Sequence, residues 1–134
     1  MAFRSDRDLV VDTDRMAQIN FFRNASDLRT LTAGEVVFRE GDHGDLMFAV
    51  VEGALELSVN GRTVDTVGEG QIVGEMALID ESARSATATA VGHAVVAPVD
   101  RKRFVYLVQE HPTFALLVME IMAERLRKAN TASS

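Results

Sequence analysis

The sequence contains no cysteine. Disulfides, thiolate nucleophiles and metal sites built on cysteine are therefore excluded. The start, Met1–Asp6, lacks the apolar core of a signal peptide. Long hydrophobic runs are also missing, because segments such as Phe114–Met119 fall far short of the roughly 20 residues that span a bilayer. With neither a secretory nor a membrane signal, we expect a cytoplasmic protein.

Histidines do not cluster either, since His43, His93 and His111 stand singly along the chain. We therefore expect no bound metal, which argues against a metal-binding β-barrel such as a cupin. Ser82 and Ser85 have no histidine near them in the sequence, so a hydrolase triad is not expected. The net charge is −6 and the pI is about 5.0. This argues against a broad nucleic-acid-binding surface, which requires a basic patch.

The composition is that of one soluble globular domain over residues 1–134, with 47% hydrophobic and 25% charged residues. Residues 1–26 predict a short helical segment, capped by one of Asp12, Thr13 or Asp14. The apolar face of this segment is formed by Met16, Ile19 and Phe22. Such a helix closes one end of a core or offers a contact surface to a partner.

Residues 27–99 predict many short strands separated by glycine turns, a pattern typical of a β-barrel or jelly roll. Asn60-Gly61 is the strongest hairpin signal, because both residues tolerate positive φ. The predicted strands are 36–38, 46–51, 55–59, 62–67, 84–91 and 94–99.

Residues 100–129 predict two closing helices. Asp100 is a candidate N-cap for the first, and His111-Pro112 separates it from the second. Phe114, Leu117, Val118, Ile121 and Met122 form an apolar stripe, which we interpret mainly as core, with a ligand lid or a dimer face as the alternatives. We expect the helix to end at Asn130, to be followed by a loose tail, and to carry Arg125, Arg127 and Lys128 in its last turns, where cations suit the helix dipole.

The stretch from residue 72 to residue 91 has features that suit a small anion with a sugar attached. Gly74 opens a short segment predicted to be helical, whose first N–H groups favour negative charge. Arg84 offers a planar fork of donors to a phosphate. Glu75 has the wrong charge for a phosphate, so a ribose hydroxyl is its natural partner. Taken singly, Glu75 is also explained as an acid in a first helical turn, and Arg84 as an ion-pair partner of Asp80 or Glu81.

Two segments together resemble the phosphate-binding cassette of the cyclic nucleotide-binding domains: Gly74-Glu75-Met76-Ala77-Leu78 and Ala83-Arg84-Ser85-Ala86-Thr87. The resemblance implies that Glu75 holds the ribose 2′-hydroxyl and Arg84 holds the cyclic phosphate. It implies a ligand-binding set of Gly74, Glu75, Met76, Ala77, Arg84, Ser85 and Ala86. Val73 and Ala83 depart from the family, which often has an aromatic residue and a proline there. These departures affect how firmly the loop is held.

The resemblance also implies the fold and the function. The fold is a mainly β protein, an antiparallel β-barrel or jelly roll with a short cassette helix and two C-terminal helices. The function is a solitary sensor that binds cAMP, or alternatively cGMP, without catalysis and without a cofactor. Ser85 favours cAMP, since threonine at this position often accompanies cGMP preference in the family.

The expected partners are the cyclic nucleotide, a downstream protein and, as an alternative to a monomer, a second copy in a homodimer. Membrane contact is not expected. Direct DNA binding is not expected either, because no helix-turn-helix follows the last predicted helix. The alternatives are a degenerate domain that binds only protein, and a truncated transcription regulator of the catabolite activator type. In the resembled family the closing helices move when ligand binds, so the helix after Pro112 is the expected output element.

Overall fold

A computed structural model describes residue 22, residues 25–80 and residues 82–133. Over these residues the chain forms eight strands and three helices. The strands are β1 (Arg29–Leu31), β2 (Val36–Phe38), β3 (Met47–Glu52), β4 (Leu55–Val59), β5 (Arg62–Val67), β6 (Ile72–Val73), β7 (Thr87–Ala90) and β8 (Ala94–Val99). The helices are α1 (Met76–Ile79), α2 (Arg101–Glu110) and α3 (Thr113–Ser133).

The strands form two four-stranded antiparallel sheets, in the orders β1-β8-β3-β6 and β2-β7-β4-β5. The sheets do not close into one continuous cylinder, and two such facing sheets are the arrangement of a jelly roll. The predicted fold class is therefore confirmed. Strands β1 and β6 were not predicted, because they have only three and two residues and so carry little periodic signal.

Strand β3 explains how the core is layered. Its residues Met47, Ala49 and Val51 pack toward the helices, whereas Phe48 and Val50 pack between the two sheets. Both faces of the strand are covered, which is why this segment reads as a continuous apolar run rather than an alternating one. The sheet that contains β3 thus separates a helical core from an inter-sheet core.

The β4–β5 hairpin turns at Asn60 and Gly61, whose φ angles are +52° and +79°. Positive φ at both central residues suits the right-handed twist of the flanking strands, as the sequence predicted. The predicted strand over 84–91 is wrong at its start, because β7 begins at Thr87. Arg84 instead pairs with the loop before β3: its N–H donates to Asp42 O and its carbonyl accepts from Gly41 N, both at 2.8 Å.

The two C-terminal helices meet at His111 and Pro112. Asp100 caps α2 as predicted, with its Oδ1 accepting from Arg103 N at 2.8 Å, and His111 N donates to Leu107 O at the other end. The predicted end of α3 at Asn130 is wrong, since the helix continues to Ser133. No glycine or proline follows Pro112 in the sequence, so nothing terminates the helix earlier.

The apolar stripe of α3 is core, as predicted, at Phe114, Leu117, Val118 and Ile121. The predicted N-terminal helix lies outside the described residues except for Phe22, which is buried with its ring 6.4 Å from that of Phe114. Within the described part of the chain, no helix has the length and apolarity needed to cross a membrane.

Candidate functional site

A cavity of about 450 Å³ lies where the loop between β6 and β7 meets the second sheet and α3. This volume falls within the range of sites for small molecules, roughly 300–1,000 Å³. All the residues predicted from the sequence line it: Gly74, Glu75, Met76, Ala77, Arg84, Ser85 and Ala86. The structure also adds residues outside the predicted ligand-binding set: Phe38, Leu57, Val73, Ser82, Ala83, Met122, Arg125 and Leu126.

The Arg84 side chain is only 8% exposed and is held by contacts on several sides. Its Nη1 donates to Gly74 O at 3.2 Å and its Nη2 to Leu46 O at 2.7 Å. The guanidinium carbon lies 4.3 Å from the centre of the Phe38 ring, a cation–π distance. Its Nε is buried and has no hydrogen-bond partner. The side chain is thus fixed in position while its Nε–H remains unused.

The charge of Arg84 is not neutralised at close range. Burial lowers the pKa of this guanidinium, and the more distant charges of Asp42, Asp45 and Glu75 act in the opposite direction. Arginine nevertheless remains protonated in proteins. Among the described residues, none of the ion pairs includes Arg84. A buried cation without a contacting carboxylate is suited to receive an anion.

The alternative in which Arg84 pairs with Asp80 does not hold. Asp80 accepts instead from Ser82, whose backbone N–H donates to Oδ1 at 3.0 Å and whose hydroxyl donates to the same oxygen. These two hydrogen bonds lower the pKa of Asp80. The acid therefore organises its own turn rather than occupying the arginine, while Glu81 lies outside the described residues.

Glu75 is 6% exposed and directs its carboxylate toward α3. Its Oε1 accepts a hydrogen bond from Nη1 of Arg125, and Nη2 of the same arginine donates to Ile72 O. Glu75 is also the N-cap of α1, but its side chain makes no capping hydrogen bond. Its role is therefore not that of a first-turn acid. In the described contacts its Oε2 accepts from no protein donor, so the carboxylate keeps acceptor capacity.

The position of Arg125 in α3 differs from the one expected from the sequence. The sequence placed it in the last turns of the helix, but the helix extends about two turns further and Arg125 lies within it. A pair between residues this far apart in the chain leaves no local signal in the sequence. The one available hint is that Arg125 lies on the face of α3 that carries Ile121 and Met122. Nearby, Lys128 Nζ lies 3.4 Å from Asp65 Oδ1 on β5.

Helix α1 is too short to supply a large dipole, since it spans only Met76–Ile79. Two N–H groups of this turn are already used, because Ala77 N donates to Gly74 O and Leu78 N to Glu75 O. The described contacts give no acceptor for the N–H groups of Glu75 and Met76. These two amides, rather than a helix dipole, are what the turn can offer to an anion.

The three histidines do not contribute to this cavity. None of its lining residues is a histidine, so the serines on its rim have no base beside them. His93 lies instead 3.6 Å from Glu52, on an exposed surface. In the described ranges, no group of three or more histidine and acidic side chains is placed to share a metal ion.

Comparison with known proteins identifies the family to which the sequence is similar. The family model described as "Cyclic nucleotide-binding domain" matches residues 28–111. Lysophospholipase nte1 of Aspergillus fumigatus is 36% identical over 102 residues, which make up 72% of this chain and 7% of the lysophospholipase. This chain therefore spans only a small part of that relative.

Two solved structures resemble the whole arrangement. The catabolite activator protein of Thermus thermophilus has a TM-score of 0.71 and 29% identity, over 89% of this chain and 57% of that protein. A structure described as Sp-2Cl-cAMPS bound to PKAR CBD2 has a TM-score of 0.69 and 23% identity, over 90% of this chain and 88% of that one. At that identity the second likeness shows the fold alone.

Proposed function

This chain belongs to the cyclic nucleotide-binding domain family, and on that premise we propose that it is a sensor domain that binds cAMP in the cavity beside Arg84. The observation that carries the proposal is the buried guanidinium of Arg84, which two carbonyls and a ring hold in place and which forms no ion pair with a carboxylate of the described residues. A cyclic phosphate supplies the single negative charge that this arrangement lacks.

In the proposed complex the phosphate takes donors from both sides of the cassette loop. Arg84 provides the charge and its unused Nε–H. Glu75 and Met76 both line the cavity, so their backbone N–H groups are proposed as further donors, together with the hydroxyl of the exposed Ser85. Oriented amides combined with one fixed cation bind a phosphate monoanion without a metal ion.

The ribose is expected against Glu75. The carboxylate of Glu75 pairs with Arg125, and a ribose 2′-hydroxyl can donate a hydrogen bond to a carboxylate oxygen. Arg125 holds Oε1, which leaves Oε2 for the sugar. The negative carboxylate and the positive Arg84 therefore recognise different parts of one ligand.

The base is expected on the apolar side of the cavity. Leu57 lies on the sheet, while Met122 and Leu126 lie on α3. Leu126 is 64% exposed although it lines the cavity, so a bound base would cover apolar surface that is otherwise open to water. These contacts are apolar and distinguish bases weakly, which is why cGMP is the alternative ligand.

The relative that is a lysophospholipase supports a second setting for the same site. There the matched segment occupies 7% of a longer chain, which fits a ligand-binding unit attached to an enzyme. Regulation of an attached activity therefore stands beside the solitary sensor as an alternative. In both settings the cavity binds the nucleotide and catalyses nothing.

Isothermal calorimetry with cAMP, cGMP and AMP tests the proposal. We expect saturable binding of cAMP, weaker binding of cGMP, and much weaker binding of AMP, whose open phosphate carries more charge and a different shape. Heat signals that are equal and non-saturating for all the nucleotides would leave the domain as a protein-interaction module and overturn the proposal.

A further inference from the structure

Two glycines lie against the Arg84 guanidinium. A Cβ atom built on Gly44 would lie 2.6 Å from Nη2 of Arg84, and one built on Gly74 would lie 2.5 Å from Nη1. Both distances are shorter than real Cβ contacts allow. The missing side chains thus create a narrow gap, here named the glycine slot, that the guanidinium fills.

The two walls of the glycine slot need glycine for different reasons. Gly74 has φ +78°, and its added Cβ would also lie 3.3 Å from both Leu46 O and the Phe38 ring. Its backbone therefore favours glycine whatever Arg84 does. Gly44 has no positive φ, and the three atoms nearest to its added Cβ all belong to the Arg84 guanidinium. At Gly44 the demand for glycine comes from Arg84.

We propose that Gly44 is a positioning residue for the phosphate-binding arginine, an inference that rests on the proposed function. A methyl group at position 44 displaces the flexible end of Arg84 rather than the backbone, because the clashing atoms are the tip of that side chain. The displaced guanidinium loses its hydrogen bond to Leu46 O and its stacking on Phe38. We expect the fold to tolerate this movement. The displaced guanidinium, however, no longer lies where it can bind the phosphate.

The test compares Gly44→Ala with Gly92→Ala. Gly92 is a matched control, because it too lacks a positive φ and its added Cβ would meet nothing within 4 Å. We expect Gly44→Ala to weaken cAMP binding by roughly 10- to 150-fold, the range for losing one hydrogen bond to a charged group. Gly92→Ala should keep the wild-type affinity, and both variants should unfold at similar temperatures.

A double-mutant cycle separates positioning from general damage. In an Arg84→Ala background, Gly44→Ala should change the affinity by less than about two-fold, because the side chain that it displaces is absent. A large further loss in that background, or a large fall in unfolding temperature for Gly44→Ala alone, would mean that Gly44 acts through the fold and would overturn the inference.

One arm of the test needs no ligand. The side-chain Nε–H signal of Arg84, assigned by its loss in Arg84→Ala, should shift in Gly44→Ala and stay in place in Gly92→Ala. An unmoved signal in Gly44→Ala would refute the glycine slot, even if cAMP binds well. A shifted signal in a protein that binds no cyclic nucleotide would uphold the slot, but would overturn both the proposed function and the positioning role that rests on it.

Discussion

The carboxylate of Glu75 accepts a hydrogen bond from the guanidinium of Arg125, which lies 50 residues further along the chain. The pair joins the cassette to α3, and Arg125 also donates to Ile72 O at the start of β6. The residue proposed to bind the ribose is therefore held by the helix proposed to respond to it. A ligand that moves the Glu75 carboxylate would therefore also act on the contact between α3 and the sheet.

Replacing Arg125 by alanine should destabilise the protein without ligand. The change leaves the Glu75 carboxylate largely buried without its cation, which costs about 1–3 kcal/mol of unfolding free energy. Urea unfolding measures the difference. The control is Lys128→Ala, which removes a more exposed pair to Asp65 and should stay within about 1 kcal/mol. Equal losses in the two variants would show that the Glu75 pair adds nothing special.

Replacing Arg84 by alanine should weaken cAMP binding severely. Removing one partner of a buried charge pair costs about 2–5 kcal/mol, which is roughly 30-fold to several thousand-fold in affinity. Calorimetry on wild type and variant gives the ratio. Arg62→Ala at the exposed start of β5 removes the same charge from a residue that does not line the cavity, and should leave the affinity unchanged. If both variants bind like wild type, Arg84 has no place in the site.

Glu75→Ala should weaken binding by about 1.5–3 kcal/mol, the range for a hydrogen bond to a charged group. A 2′-deoxy analogue of cAMP should lose a similar amount against wild type. Because the two changes remove the same contact, their losses should not add when the analogue is titrated into the variant. Full additivity would mean that Glu75 acts elsewhere than on the ribose.

Ligand should change hydrogen exchange in α3 as well as in the cassette. A ligand shifts the helix only as far as it prefers one arrangement over another, so we expect a partial change rather than a full inversion, which needs about 5.5 kcal/mol. The measurement is amide protection with and without cAMP over residues 72–91 and 113–128. Protection that changes only in 72–91 would leave α3 as a fixed part of the core.

Incubation with cAMP should yield no AMP beyond the uncatalysed background. Cleavage of a cyclic phosphodiester usually requires a positioned base or a metal-bound hydroxide. The cavity lining contains no histidine, and its one acid, Glu75, is paired with Arg125. Chromatography of the nucleotide after long incubation decides the matter, and repeated turnover that depends on the protein would contradict a pure binding role.

The parts of the fold that were predictable from the sequence have local causes. Asn60-Gly61 turns the hairpin through its own backbone preferences, and Asp100 caps α2 through a hydrogen bond to a residue three positions away. His111-Pro112 separates the helices because proline restricts the residue before it. The cassette residues also share one short stretch, so their convergence on one cavity follows from a single loop.

The parts that escaped prediction depend on distant contacts. Nothing in the helical pattern of α3 shows that Arg125 reaches Glu75 rather than water. Strand β7 starts later than predicted, because the backbone of Arg84 forms hydrogen bonds with Gly41 and Asp42 instead of with a neighbouring strand. The role proposed for Gly44 could not be predicted for a similar reason, since a glycine in a turn-rich loop has an ordinary local explanation and its closeness to Arg84 is evident only in three dimensions.

The walls of the cavity come from separate stretches of the chain: Phe38 on β2, Leu57 on β4, Arg84 in the cassette loop and Arg125 on α3. A partly unfolded chain that has released any one of them has no complete site, so ligand stabilises the whole native structure against each opening. By mass action this adds about 2.7 kcal/mol when the free ligand is at one hundred times its dissociation constant. Proteases that attack opened chains would therefore remove the protein faster when the nucleotide is scarce. If the site binds a nucleotide as proposed, the lifetime of the protein would therefore depend on the nucleotide concentration, on a slower timescale than binding itself.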